Sequence, residues 1–339
     1  MSIDKLYEFK NRTRKMHEDN LTDYIETIKS QTRNEAQYNN ISMDQEACPL
    51  ILKNLNIRYS SMNVEEKIID VEKFAEYDFN SLTKFPRNTH KRFIISVHFN
   101  GVHYAAANVF KDGENKVSVI FLDSSRGNNI FIPLRWNKFR KTEKDEENKV
   151  KTLYIYCQIQ NSPGDCLIFS LHFLKKMHEY AQEFTNIHQS IFNDEIKFNN
   201  DNYKLIAPKS KNLEKVSDDS CKEYRVVFFN EAINLLPIDF FKHSQSLNPI
   251  DAYLERHPNE SNKKVNKYAG GETLKERYQR YLVTRELPVQ YNSNETQKYT
   301  YSCSIEEKRL KLAQDALHDL YELRAINAMR SLHWFDENK

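Results

Sequence analysis

Runs of β-branched and aromatic residues in the middle of the chain predict strands. The clearest are RFIISVHF (92–99), KVSVIFLD (116–123) and KTLYIYCQI (151–159). The segment HYAAANVF and the turn-like KDGEN at 111–115 are expected to connect the first two runs. Further along, RVVFF at 225–229 predicts one more strand.

Helical patterns surround these strands. Apolar residues cover more than one face of CLIFSLHFLKKMHEYAQEF (166–184), which predicts a central and largely buried helix. The last stretch, 305–335, is amphipathic with helical spacing, and residues 1–40 are polar with weak helical periodicity. Residues 41–90 show no clean period, and 258–304 is polar and turn-rich. One α+β core with flanking helical segments is the simplest architecture for this order.

Charge and cysteine content narrow the function classes. The 50 basic and 48 acidic side chains leave a formal net charge of +2, which gives no general argument for binding nucleic acid or a membrane surface. No apolar run approaches the roughly 20 residues of a membrane span, and the N-terminus lacks the apolar segment of a Sec signal peptide. The five scattered cysteines predict neither a disulfide framework nor a zinc site, so no metal is expected.

The stretch NSPGDCLIF (161–169) carries the strongest chemical signal. Cys166 stands where a turn runs into the central helix, and a thiol at a helix N-terminus is favoured as a thiolate. A lone cysteine in an apolar helix is more often a structural residue of the core. The sequence around Cys166 leaves both interpretations open.

Three upstream residues favour the nucleophile. His103 follows the first strand run and could serve as a base, and Asp123 ends the second run, where it could orient the imidazole. Gln160 lies at the end of the third run and could donate to an oxyanion. Their order along successive elements indicates a Cys-His-Asp site for acyl chemistry, although each residue alone has an ordinary structural explanation.

These residues resemble two related groups of proteins. The spacing of Gln160 and Cys166, with FLDSS at 121–125, resembles the papain-like branch that contains the small-ubiquitin-like-modifier proteases. The closer resemblance is to the YopJ-type serine/threonine/lysine acetyltransferases, which are bacterial effectors delivered into host cells by type III secretion. It rests on VHY, IQ, CLIFS and the Lys pair at 175 and 176, and downstream on LPIDFFKHSQ, VNK and GETLKER.

The resemblance implies a role for each matching residue. Cys166 would accept acetyl from acetyl-CoA, His103 would be the base, Asp123 its acid and Gln160 part of the oxyanion hole. The residues implied in CoA binding are Asn161, Ser162 and Lys176. The residues implied in binding the activator inositol hexakisphosphate are Lys242, His243, Ser244, Gln245 and Arg277. Lys267 is implied as an autoacetylation site.

The same resemblance divides the chain and names its partners. It implies a papain-like, ubiquitin-like-protease-type cysteine core at 41–235, a C-terminal regulatory and inositol phosphate-binding region at 236–339 packed on that core, and a polar segment at 1–40 as a candidate secretion signal. The protein would be secreted by bacteria into the host cytoplasm and would acetylate host proteins such as kinases or immune-signalling proteins. The basic residues at the start of the last helix are Lys308, Arg309 and Lys311. They could add to the basic site, but the favoured expectation places them on the exposed face of the helix.

Two alternatives remain. A protease specific for ubiquitin or a ubiquitin-like modifier needs the same triad without CoA or polyphosphate sites. A catalytically inactive module that binds a host protein is supported by Leu167, because the family usually has Gly after the cysteine. Leu167 keeps its backbone N–H, so an oxyanion hole survives, but the neighbouring pocket is expected to be narrower.

Overall fold

The computed structural model describes residues 3–33, 40–71, 84–98, 102–125, 150–162, 164–196, 226–227, 229–266, 270–289 and 292–337. The α-helices in these ranges are α1 (Ile3–Arg33), α2 (Ile41–Arg58), α3 (Cys166–Glu179), α4 (Ala181–Phe192), α5 (Phe229–Leu235), α6 (Leu247–Arg256), α7 (Leu274–Arg280) and α8 (Ser304–Glu337). The strands are β1 (Ile69–Asp70), β2 (Thr89–His98), β3 (Val102–Lys111), β4 (Val117–Asp123), β5 (Val150–Tyr156), β6 (Val226–Val227), β7 (Leu282–Val289) and β8 (Asn292–Ser302). Short 3₁₀ helices lie at Ile238–Phe241 and Pro258–Glu260.

The main sheet has six strands in the order β1-β2-β3-β4-β5-β6 within these ranges. Strands β2, β3 and β4 are antiparallel neighbours, whereas β1 with β2, β4 with β5 and β5 with β6 run parallel. Because β3 and β4 are antiparallel, the beginning of β3 lies beside the end of β4. The sheet therefore brings His103 and Asp123 to the same edge.

The main core lies on one face of this sheet. Alternation along β3 places Tyr104 and Ala106 on that face and Ala105 and Ala107 on the opposite, separately packed face. Helix α3 packs against β3 with most of its side chains buried, which confirms the predicted central helix. Small residues on β3 allow this close approach, so the position of α3 is fixed by the sheet.

The N- and C-terminal helices extend the same core. Leu21 and Ile28 of α1 are buried in one cluster with Leu312 and Ala316 of α8, and α2 packs beside them. The N-terminal segment with weak helical periodicity thus forms a helix, and its residues 21–28 are part of the packed structure. None of the helices in the described ranges is long and apolar enough to cross a membrane.

Several local predictions were wrong. HYAAANVF is strand β3 and not a connector; its alanines carry little strand signal, but small side chains suit a strand directly beneath a helix. The helix predicted at 166–184 ends at Glu179, and α4 begins two residues later. Within RVVFF the described residues Val226 and Val227 form strand β6 as predicted, whereas Phe229 begins α5.

The segments without a clear pattern also contain regular structure. Helix α2 lies within 41–90, and Pro49 inside it weakens the sequence signal for a helix. The turn-rich region 258–304 contains α7 and the β7–β8 hairpin. Helix α7 begins with a capping box in which Thr273 and Glu276 bond each other's backbone N–H. That T-x-x-E signal is present in GETLKER and could have identified the helix.

Substitution of Ala106 by Leu tests the close contact between α3 and β3. Ala106 is fully buried between Ile94 and Leu122 on the core face, so the larger side chain has no space. We expect Ala106→Leu to lower the free energy of unfolding by about 1–3 kcal/mol, measured by urea denaturation. Gln182→Leu on the exposed face of α4 is the matched control, with an expected change below about 0.5 kcal/mol. Equal stability of the two variants would contradict this packing.

Candidate active site

Three element ends bring His103, Asp123 and Cys166 together. His103 is the second residue of β3, Asp123 is the last residue of β4, and Cys166 is the first residue of α3. The antiparallel pairing of β3 and β4 places the histidine beside the acid. Because α3 crosses the same sheet, its N-terminus delivers the thiol to this edge.

The imidazole is held between the acid and the thiol. His103 Nε2 lies 2.9 Å from Asp123 Oδ2, and Asp123 Oδ1 accepts from the Ser125 backbone N–H at 2.8 Å. Burial alone would lower the pKa of His103, but Asp123 and the hydrogen bond with the Cys166 thiol raise that pKa well above its usual value. Since Nε2 faces the acid, Nδ1 is the nitrogen that faces the thiol. The arrangement can hold an imidazolium next to a thiolate.

Cys166 differs from the other described cysteines in its surroundings. Burial raises the pKa of the Cys48 and Cys157 thiols well above the usual value and that of Cys303 to about 11. Cys166 is also mostly buried, with 3% of its surface exposed, but it has a histidine partner and a helix N-terminus. These three other thiols are therefore expected to be inert, whereas Cys166 is a candidate nucleophile.

Both the oxygen and the nitrogen of the Gln160 side-chain amide are hydrogen-bonded. Its Oε1 accepts from Ser124 Oγ at 2.6 Å, and its Nε2 donates to the Ser162 carbonyl at 2.8 Å. Its backbone N–H also donates to the Ser124 carbonyl at 2.9 Å. The end of β4 therefore fixes this side chain, and one amide hydrogen of Nε2 is not needed for the Ser162 bond.

The loop between β5 and α3 is held by Gln245, a residue from the C-terminal third of the chain. Gln245 Oε1 accepts from the backbone N–H groups of Asn161 and Ser162 at 2.6 and 2.7 Å. Its Nε2 donates to Ser162 Oγ at 2.7 Å and to Asp165 Oδ2 at 2.9 Å. The Gln245 amide is thus fully occupied inside the protein, where it fixes the loop that precedes Cys166.

A buried ion-pair cluster continues from this loop. Arg309 of α8 donates to both oxygens of Asp44 on α2 at 3.0–3.2 Å and to Asp165 Oδ1. Tyr24 of α1 donates to Asp44 as well. Burial would lower the pKa of Arg309, but the two carboxylates raise it well above the usual value, so the guanidinium is charged. The expectation of an exposed Arg309 was wrong, because only 2% of its surface is accessible.

A cluster of cations lies at the other end of α3. Lys176 is in the last turn of that helix, roughly 15 Å along the axis from Cys166, and it pairs with Glu179 and Asp239. Burial, with repulsion from Arg277 and Lys176, lowers the pKa of Lys242 to about 8. Among the described residues, Lys242 has no carboxylate at ion-pair distance.

Lys308 belongs to the same cluster, although the sequence predicted it on the exposed face of α8. Burial, together with Lys175 and Lys176, lowers the pKa of Lys308 to about 7. Within the described part of the chain no carboxylate pairs with it either. Of the three basic residues in this turn of α8, only Lys311 is exposed as expected.

Two buried histidines line the cation cluster. The rings of His172 and His243 meet edge to face with centroids 4.7 Å apart, and His243 Nδ1 lies 3.2 Å from Ser304 Oγ. Burial and the nearby cations lower the pKa of both rings well below the usual value, so both are neutral. Arg277 is buried beside them and pairs with Glu272 and Glu307. The cluster has the composition of an anion site.

The remaining predicted site residues lie in varied positions. Two of them lie in the loop between β5 and α3, which we call the nucleophile loop. Asn161 is exposed there, whereas Ser162 is buried with its hydroxyl bonded to Asp165 and Gln245. Ser244 is buried and its hydroxyl donates to the Ser246 carbonyl. Lys267 lies outside the described residues. The ligand roles of these residues remain predictions.

Leu167 does not line the surface beside the thiol. Its side chain is fully buried in the main core, so it anchors the first turn of α3. The expectation of a pocket narrowed by this side chain therefore lacks support in the structure. Its backbone N–H keeps its place at the start of the helix.

One group in the described part of the chain has donor atoms close enough to share a metal ion, namely His318, Asp319 and Glu322 on α8. Asp319 already accepts from Arg58 and from Asn54 Nδ2. These contacts explain the position of the carboxylate without a metal, and we assign no metal site.

Comparisons with known proteins agree with this geometry. The model of the family described as YopJ serine/threonine acetyltransferase matches residues 21–315. The serine/threonine-protein acetyltransferase YopJ of Yersinia pestis is 24% identical over 226 residues, which cover 66% of this chain and 69% of that protein. The protein of the same name from Yersinia pseudotuberculosis matches with the same identity and coverage.

Solved structures show the same fold. The structure of AvrA delL154 with IP6 and CoA aligns with a TM-score of 0.67 at 20% identity, covering 88% of this chain and 98% of that one. HopZ1a in complex with IP6 and CoA aligns with a TM-score of 0.64 at 16% identity, covering 90% and 98%. The predicted α+β fold is confirmed, and these solved structures share it. The chain belongs to the YopJ serine/threonine acetyltransferase family.

Proposed function

We propose that this protein is an effector acetyltransferase that moves acetyl from acetyl-CoA, through a thioester on Cys166, to side chains of host proteins. The observation that carries the proposal is the contact of His103 with both Asp123 and Cys166, in a chain that the acetyltransferase family model matches over 21–315. The relatives AvrA and HopZ1a were solved with CoA and IP6, which supports the same two ligands here.

In the first half of the reaction, Cys166 gives its proton to His103, and the thiolate attacks the acetyl carbonyl carbon. Asp123 stabilises the imidazolium that forms. The negative charge on the carbonyl oxygen is stabilised by the free amide hydrogen of Gln160 and by backbone N–H groups at the start of α3. His103 then returns the proton to the departing CoA thiolate.

In the second half, His103 takes the proton from an acceptor hydroxyl or amine as that group attacks the thioester carbon. The Cys166 thiolate leaves, and the acetyl group ends on the acceptor. The family description favours serine and threonine acceptors, and we include lysine because an amine needs the same general base. The acceptors would be host kinases or immune-signalling proteins after delivery of the protein from a bacterium into the host cytoplasm.

The proposed CoA contacts are Asn161 and Ser162 near the thiol and Lys176 at the far end of α3. Asn161 is exposed at the loop, in reach of a substrate that approaches Cys166. Ser162 is buried with its hydroxyl and its backbone N–H already bonded, so its contribution would come through its carbonyl oxygen, which can accept a second hydrogen bond beside that from Gln160. Lys176 supplies a positive charge for a phosphate group.

The proposed site for inositol hexakisphosphate is the cation cluster around Lys242 and His243, with Arg277 and, from the structure, Lys308. Burial and, after it, repulsion from neighbouring cations lower the pKa values of Lys242 and Lys308, so their charged forms are disfavoured without a bound anion. A polyphosphate would relieve that repulsion and tie α3, α7 and α8 together. Ser244 and Gln245, which the sequence also assigns to this site, would support it from the interior through their neighbours.

Acetyl transfer predicts a covalent label on Cys166. Incubation of the protein with radiolabelled acetyl-CoA and inositol hexakisphosphate should label the protein, and Cys166→Ala should lower the initial rate by at least about a thousandfold. Asp123→Asn should slow labelling by about a hundredfold or more, because the imidazole loses its orienting charge. Cys303→Ala, which removes a thiol with a raised pKa, is the control. No label under any condition, combined with trapping of Cys166 by a ubiquitin vinyl sulfone, would identify a protease instead.

Polyphosphate binding predicts proton uptake by Lys308 and Lys242. Their pKa values of about 7 and about 8 rise when an anion favours the charged form, so affinity should fall as the pH rises from 7 to 9. Isothermal titration calorimetry at pH 7.5 in two buffers with different ionisation enthalpies measures the protons taken up. Lys308→Met should take up fewer protons and bind about tenfold more weakly.

The exposed Lys298 on β8 provides the control, since it pairs only with Glu286 in the described structure. Lys298→Met should bind as the unmodified protein does. The ligand's own ionisation is common to all variants, so the difference isolates the lysine. Equal proton uptake by Lys308→Met and the unmodified protein would contradict the assignment of Lys308 to this site.

A further inference from the structure

The residue immediately before the candidate nucleophile is a buried acid. Asp165 occupies the N-cap position of α3, yet its side chain makes no capping bond to the helix backbone. Its Oδ1 accepts from Arg309, and its Oδ2 accepts from Gln245 Nε2 and Ser162 Oγ. The carboxylate is therefore turned away from the ordinary role of an N-cap and into the protein interior.

Arg309 is the only cation described in contact with this acid. It bridges Asp165 to Asp44 with Nε and one terminal nitrogen. A planar guanidinium can serve two carboxylates at once, which an ammonium group does with less directional precision. Helices α2 and α8 and the nucleophile loop consequently meet at a single side chain.

Gln245, which like Arg309 follows Cys166 in the sequence, fixes the same loop. Gln245 bonds two backbone N–H groups of the loop with one oxygen, and its own backbone N–H donates to the Ile159 carbonyl at 2.8 Å. Ser162 has one hydroxyl hydrogen, so it donates to Asp165 while it accepts from Gln245. The conformation of the described loop residues, 159–162, 164 and 165, thus depends on partners supplied by residues 245 and 309.

The charge of Asp165 also affects the thiol of the next residue, Cys166. A carboxylate that lacks a compensating cation disfavours a nearby thiolate. The cluster contains two carboxylates, Asp44 and Asp165, and one guanidinium. Removal of Arg309 would leave both acids without a cation at ion-pair distance in the described structure, one of them adjacent to Cys166.

We propose that Arg309 is a positioning residue for Cys166, which acts through Asp165 to hold the nucleophile loop and to compensate the charge beside the thiol. It contacts neither substrate nor reacting atoms. This inference deepens the proposed function, because it rests on Cys166 as the nucleophile. It assigns a catalytic consequence to a side chain of the last helix, about 140 residues after the thiol in sequence.

The test is the pH dependence of Cys166 alkylation by iodoacetamide, followed by peptide mass spectrometry. Arg309→Gln should move the midpoint of the rate profile to higher pH by roughly one unit, which is about tenfold in rate at pH 7. Asp165→Asn should move the midpoint to lower pH, because it removes the charge beside the thiol. Lys311→Gln, on the exposed face of α8, is the control and should leave the profile unchanged.

Arg309→Lys distinguishes charge from geometry. The ammonium group keeps the compensating charge but cannot bridge both acids with a planar fork, so its alkylation midpoint should lie near that of the unmodified protein while the rate of acetyl transfer falls. Every variant leaves unchanged the other titratable groups that interact with this site, which are His103, Asp123, Tyr104, Cys48, Tyr24, Asp44, Tyr301 and Cys303. A purely structural role for Arg309 would lower stability without opposite shifts for the arginine and aspartate variants.

Each outcome decides the question. If Arg309→Gln folds and its alkylation profile matches the unmodified protein, the proposal is wrong. If Arg309→Gln does not fold, Asp165→Asn decides, and a midpoint that stays or rises overturns the proposal. Alkylation needs no acetyl-CoA, so opposite shifts in a protein that never transfers acetyl would support the positioning role and refute only the proposed function.

Discussion

The arrangement of the active-site region depends on one interaction, in which the guanidinium of Arg309 binds both Asp44 and Asp165. Buried ion pairs often add little net stability, because removing the charges from water costs about as much as their attraction returns. Their geometry is nevertheless demanding, since a misplaced partner leaves an uncompensated charge in the interior. The contact between Asp44, Arg309 and Asp165 therefore selects one relative position for three separate elements, and Gln245 fixes the intervening loop in that position.

The two ends of α3 have opposite electrostatic conditions. At its N-terminus both carboxylates pair with Arg309, and the hydrogen-bonding groups of Gln245, Ser162 and Asp165 satisfy one another. At its C-terminus burial, together with repulsion from other cations, lowers the pKa values of Lys242 and Lys308. One buried helix, α3, thus joins a site whose charges are paired to a site whose lysines lack a carboxylate partner in the described structure. An anion bound at the C-terminal end would stabilise the folded state, and with it the fixed position of α3.

The sequence predicts the catalytic candidates better than it predicts their supports. His103, Asp123 and Cys166 stand at element ends, where chemistry leaves a local signal, and the structure brings them together. The sequence predicted Arg309 on the exposed face because charged residues at helical spacing normally face solvent. Its burial depends on two partners that are distant in sequence, Asp44 and Asp165, which lie 265 and 144 residues away. Strand β3 and the hairpin were missed for a related reason, since alanine and alternating polar residues acquire strand structure only through their neighbours.

The sequence separation between Arg309 and its two partners has a consequence for chains that lack α8. Asp165 and Arg309 are 144 residues apart, and Asp44 and Arg309 are 265 apart. These contacts need the whole chain from α2 to α8 to be present and folded. A polypeptide that is shortened before α8 would already contain the thiol, imidazole and acid but would lack the contacts that align them. Only chains that contain α8 would then be catalytically active, and chains that end before it would be inactive.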